Sequence, residues 1–158
     1  MSRFYRSLLS ACLALAFVHG AWAAGSHMAL YKTQGEFGDV KDSLVFAITG
    51  RGLVINNISH IGEMLDRTGS AMGDAKRVFL KAEALEFCSA TVSREMMEAD
   101  PHNIVFCPYV IAIYVLPDEP KTVYVSYRKP DPVGSPQSVK ALQAVDKLLD
   151  GIVRDALK

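Results

Sequence analysis

An α+β fold with an antiparallel hairpin near its centre is what this sequence predicts, and two stretches carry the prediction. Residues 105–116 form an almost continuous apolar run, joined by the short segment 117–121 to residues 122–127. In that second run Val123, Val125 and Tyr127 alternate with Tyr124 and Ser126, the period of a strand, so the pair reads as a β-hairpin. Farther along, Leu142, Val145, Leu149 and Ile152 recur at the three-four spacing of an amphipathic helix, introduced by Ser135 as N-cap and Pro136 in the first turn.

The remaining elements follow from the N-terminus. Arg3 and Arg6 precede an apolar run over residues 8–18 and then Ala21-Trp22-Ala23, the pattern of a secretory leader with its cleavage site, so residues 1–23 are expected to be removed on export. The run is too short for the ~20 residues that span a bilayer, which predicts a periplasmic or secreted protein with no membrane span after cleavage. Cys12 ends a lipobox-like Leu9-Ser10-Ala11-Cys12, but the apolar segment continues past it, unlike a lipid-attached cysteine. Gly25-Ser26-His27-Met28 resembles the scar of a cleaved expression tag, and His27 and Met28 are set aside as candidate ligands for that reason.

Residues 24–158 are then expected to form one domain. Residues 30–33 predict a first strand, and Asp39 predicts the N-cap of a helix that lines up Val40, Leu44 and Ile48 and stops at Gly50 and Gly52. Residues 53–58, rich in β-branched side chains, predict a second strand, followed by a helix over 61–67 ending at Gly69 and a loop over 70–74. Residues 81–88 mix polar and apolar side chains, and a strand is expected from Ala84 onward. Ser89 then caps a helix bearing Val92, Met96 and Ala99, stopped at Asp100-Pro101 because a residue before proline avoids helical angles.

Charge excludes one class of function. The chain carries 17 basic and 17 acidic residues, and loss of Arg3 and Arg6 with the leader leaves a net charge of −2. Lys76-Arg77 and Arg128-Lys129 are too sparse to form the basic face that nucleic acid requires. Catalytic templates are missing as well: no GxSxG elbow, no phosphate-cradling loop, and Gly50-Arg51-Gly52 lacks the rest of a dinucleotide fingerprint.

Several of these segments, taken in order, resemble the DUF302 family, a domain of unknown function. They are Glu86-Phe87-Cys88, then Met96-Met97-Glu98-Ala99-Asp100-Pro101, then the strand over 108–114, then Val123-Tyr124-Val125-Ser126-Tyr127, with Ser59-His60 earlier. The resemblance implies a compact single domain, mainly antiparallel sheet with helices on one face, homodimeric in many cases and without an agreed activity. It also implies a histidine at the place of His60. One departure is that many members carry a cysteine after the strand-opening proline, whereas Cys107 precedes Pro108 here.

Two cysteines remain after the leader, Cys88 and Cys107. A disulfide between them would add about 3 kcal/mol in the chain-entropy picture. If the helix between their strands were a parallel crossover, however, the two would lie at opposite ends of the sheet and could not bond. A disulfide, inert thiols and a redox role all stay open. A soft-metal site would gather Cys88, Cys107, His102 and Met96, a donor set suited to copper(I). His60 either lines a pocket or caps the turn into the next helix, and His102 is expected in solvent. Tyr109, Tyr114, Tyr124 and Tyr127 cluster near the hairpin, as a ligand pocket, as core, or as a dimer face. Together these predict an exported small-ligand-binding or assembly module, with a thiol redox protein or copper carrier as the alternatives.

Overall fold

Strand alternation sorts the side chains into two rows, and the rows decide where the helices go. The computed structural model describes residues 27–73 and 76–158; the leader, Cys12, Gly25, Ser26 and Asp74 lie outside the described residues. The elements are β1 (Met28–Gln34), α1 (Phe37–Thr49), β2 (Val54–Ser59), α2 (Ile61–Ala71), β3 (Lys81–Cys88) and α3 (Ala90–Ala99). A 3-10 helix (Pro101–Phe106), β4 (Tyr109–Val115), β5 (Thr122–Arg128) and α4 (Pro136–Ala156) complete the order. All strands join one antiparallel sheet in the order β1-β5-β4-β3-β2.

Ile111 and Ile113 of β4, Val123 and Val125 of β5, and Leu85 and Phe87 of β3 share one face and are buried. Against that face pack Leu44 and Ile48 of α1, Met96 of α3, and Leu142, Leu149 and Ile152 of α4. Each fully buried aliphatic side chain there contributes roughly 1.5–3 kcal/mol, so this layer holds the fold together. The other row, Ala82, Ala84, Ala112, Tyr114, Tyr124 and Ser126, points away from those helices. Beside it, α2 approaches β3 closely, and a Cβ on Gly62 would meet the Ala82 amide nitrogen at 3.0 Å. No described helix is long and apolar enough to cross a membrane.

The α+β class, the hairpin and most helices agree with the sequence reading, and four details correct it. The helix expected from an Asp39 cap begins at Phe37, with Glu36 in the cap position and no side-chain capping bond. The helix expected to stop at Gly69 runs on to Ala71. The third strand starts at Lys81 rather than Ala84, because Lys81 and Glu83 occupy strand positions with polar side chains. The strand expected from Val105 starts only at Tyr109. Before it the chain turns through the 3-10 helix, because Pro101 opens the turn and the Asp100 carboxylate accepts the His102 amide at 2.9 Å. Buried Asn103 then pins that turn by donating to the Met96 carbonyl at 3.0 Å and to Ser138 Oγ at 2.9 Å, leaving Ile104 and Val105 exposed.

Candidate functional site

The ladder between β3 and β4 decides how the cysteines meet. A parallel crossover would have separated them, but β3 and β4 are antiparallel, and Phe87 stands opposite Tyr109 at the end of the ladder. Cys88, one residue beyond Phe87, and Cys107, two residues before Tyr109, therefore emerge at the same end of the sheet. Local signals make this return possible. Ser89 accepts the Val92 amide and starts α3 directly after Cys88, while the pinned 3-10 helix delivers the chain back to Cys107. Both are free, half-buried thiols, and Cys107 is near enough to Cys88 to raise its pKa.

Hydroxyl groups complete the cluster. The Cys107 thiol donates to Ser93 Oγ at 3.2 Å, and Ser93 Oγ shares a hydrogen bond with the Tyr109 hydroxyl at 3.0 Å. Burial pushes the Cys88 thiol up, and the hydrogen bond and charge of Cys107 push it the same way, so the protonated thiol prevails at neutral pH. Tyr109 is pushed up to about 12, chiefly by burial, with the Ser93 bond opposing and the neighbouring thiols adding to the rise. The site thus sets two thiols beside two hydroxyls, with Cys88 and Tyr109 held in their neutral forms.

Other residues singled out by sequence are not gathered here. His102 is exposed on the 3-10 helix, Met96 is fully buried in the core under α3, and among the described residues no group of three His, Cys, Asp or Glu converges as a metal site would. The four tyrosines divide between the two faces of the sheet. Tyr109 and Tyr127 belong to the helix side and line a recess of about 300 Å³ with Pro108, Val145 and Leu149. Tyr127 donates to Asp146 Oδ1 at 2.9 Å, and its ring lies 6.4 Å from that of Tyr31, whose hydroxyl donates to Asp150. Tyr114 and Tyr124 pair across β4 and β5 on the opposite face with their rings stacked at 5.1 Å, the Phe79 ring edge-on to Tyr114.

His60 stands at the N-cap position of α2 but makes no capping bond with its side chain. Its Nδ1 lies 3.6 Å from Glu83 Oε1, and Lys41 Nζ lies 2.5 Å from Glu83 Oε2. These groups line a cleft of about 480 Å³ between α1, α2 and β3. Glu83 carries no site role in the sequence reading. The strand period was the available signal, since Glu83 shares the inward row with Leu85 and Phe87, whereas Glu86 lies in the other row and accepts from Ser59 Oγ at 2.7 Å.

The model of the DUF302 family, a domain of unknown function, matches residues 30–156. The chain belongs to the DUF302 family. Its fold is similar to the crystal structure of an uncharacterized conserved DUF302 protein from Bacillus stearothermophilus, with a TM-score of 0.69 at 14% sequence identity. The likeness covers 83% of this chain and 98% of the other. At that identity the DUF302 fold is what the two share. No curated protein matches the chain.

Proposed function

We propose that this DUF302 protein is an exported thiol–disulfide module whose working group is the Cys88/Cys107 pair. The emergence of both thiols at one end of the antiparallel β3–β4 ladder carries this reading, because a reversible disulfide needs two sulfurs that can reach bonding distance. In the exchange, one thiol of the pair loses its proton and attacks a sulfur of an oxidised partner's disulfide, forming a mixed disulfide and releasing the partner's first thiol. The second cysteine then attacks the mixed disulfide, closes the Cys88–Cys107 bond and releases the partner's second thiol. The two protons lost by the pair end on the two departing thiols, and the two electrons go to the partner. An oxidising compartment, which the Arg3–Arg6 leader pattern supports, supplies such partners.

Equilibration of the protein in mixtures of reduced and oxidised dithiothreitol, followed by mass measurement of the trapped species, tests the proposal. The expected result is one two-electron transition in which the oxidised protein is lighter by two hydrogens, absent from Cys88→Ser and Cys107→Ser. Thiols that stay reduced in excess oxidant, or that oxidise only between molecules, would reject it.

A second reading, assembly of two copies, draws on a different observation. The sheet row facing away from α1, α3 and α4 carries the partly exposed Met28, Leu30 and Val110 beside the Tyr114–Tyr124 stack. Such a face suits a second copy of the chain.

A further inference from the structure

Glu83 is a carboxylate in the row that carries Leu85 and Phe87 into the core. Its side chain is 16% exposed, its Oε2 atom is buried, and among the described residues its compensation is the ion pair with Lys41 and the nearby His60 ring. An apolar side chain would satisfy the fold at that position at less desolvation cost, so the carboxylate points to a task in the cleft. What it does there is hold the imidazole: with Nδ1 turned to Glu83, the other ring nitrogen of the half-exposed His60 is left for whatever enters. Gly62 makes this possible, since any side chain there would push α2 and His60 away from β3.

The remaining charges of the cleft do not all cancel. Arg77 is paired with Asp66 at 2.9 Å. Lys81, by contrast, forms no ion pair among the described residues, and its ammonium stands 5.5 Å from the Phe37 ring centroid. Glu63 and Asp42, across the same cleft, also have no cationic partner among the described residues. The same cleft thus carries, among the described residues, an unpaired cation and two unpaired anions, with the Phe37 ring beside the cation.

We propose that this cleft binds a small zwitterion of the α-amino-acid type, with its carboxylate on Lys81, its ammonium toward Glu63 and Asp42, and His60, positioned by Glu83, as hydrogen-bonding wall. A volume of about 480 Å³ admits both charged groups of such a molecule with space left for its side chain. Neither thiol lines the cleft, so this assignment stands or falls separately from the thiol–disulfide reading.

Titration of the ¹⁵N-labelled protein with glycine, L-alanine and L-leucine, followed by amide shifts, tests it. Saturable shifts are expected at Gly38, Gly62 and Lys81. L-Alaninamide and N-acetyl-L-alanine, each lacking one charge, should bind about tenfold more weakly, as should L-alanine to the Lys81→Ala variant. The substitution is at an exposed side chain, and the amide spectrum of the free variant reports directly that it folds. No saturable shift with any of the three amino acids would overturn the proposal, and so would capped analogues that bind as well as free L-alanine.

Discussion

Cys88 closes β3 directly after the fully buried Phe87, and its own side chain is half-buried. Burial is the largest cause of its raised pKa and the hydrogen bond to Cys107 the next. Alkylation proceeds through the thiolate, so at neutral pH Cys88 should react more slowly than a free thiol of pKa near 8.5. Iodoacetamide labelling followed by peptide mass analysis is expected to give a Cys88 rate that keeps rising above pH 8.5. In Cys107→Ser the profile should move partway down, because the neighbour's contribution goes and the burial stays. A Cys88 profile at or below that of a small-molecule thiol would contradict the burial argument. At this scale the sequence named both thiols but could not say whether they lie at the same end of the sheet, since nothing in the 18 intervening residues specifies whether the chain returns parallel or antiparallel. Lys41, His60 and Glu83 were equally hidden as a group, because they come from α1, the β2–α2 junction and β3 and meet only through tertiary packing.

Helix α4 gains its register on the sheet partly through polar contacts at its far end. Asp150 accepts from Arg154 Nε at 2.8 Å and also from the Tyr31 hydroxyl of β1. The Arg154 bond first, and the Tyr31 bond second, hold the Asp150 carboxyl below the usual carboxylate value. A group whose pKa is lowered by folding stabilises the native state above its unfolded value of about 3.9, and that contribution is lost as pH falls through the lower folded value. The carboxylate is largely solvated, which limits the effect to about 1 kcal/mol or less. Urea unfolding of Asp150→Asn should therefore show a small loss at pH 7, and the gap from the unsubstituted protein should shrink below about pH 4. A gap that widens in acid would mean that Asp150 acts by some other route. Helices with strong local signals were legible in this way: α3 lies between its Ser89 cap and Asp100-Pro101, and α4 starts where Ser135 and Pro136 stand. The 3-10 helix was not, because Ile104, Val105 and Phe106 have strand-like composition while the buried bonds of Asn103 to Met96 and Ser138 override it. Likewise Lys81 and Glu83 masked the start of β3, since both are polar side chains turned to the helix side.

For the whole molecule, the proposed pairing of two copies must use either an edge or a face of the sheet. The β2 edge is a poor template, because its pairing with β3 is interrupted between Ile55 and Asn57 and its Asn56 and Asn57 are exposed. The β1 edge carries Lys32, whose ammonium already lies 4.7 Å from the Tyr124 ring centroid. The row away from α1, α3 and α4 is the better surface: Leu30 is 45% exposed and Val110 40% exposed, and the small, half-buried Ala112 lies near Val110 in the same row. A stable dimer buries about 1,200–2,000 Å² in total, an extent that a five-stranded face can supply. Val110→Glu puts a charge on that face opposite Glu86, where desolvating it would cost several kcal/mol in a dimer and the like-charge pair about 1 kcal/mol or less in a monomer. Light scattering at micromolar protein should give a dimer for the unsubstituted chain and a monomer for Val110→Glu, with circular dichroism unchanged between them. A monomer at every concentration tested would remove the assembly reading, and a dimer that tolerates the new glutamate would move the contact to another surface.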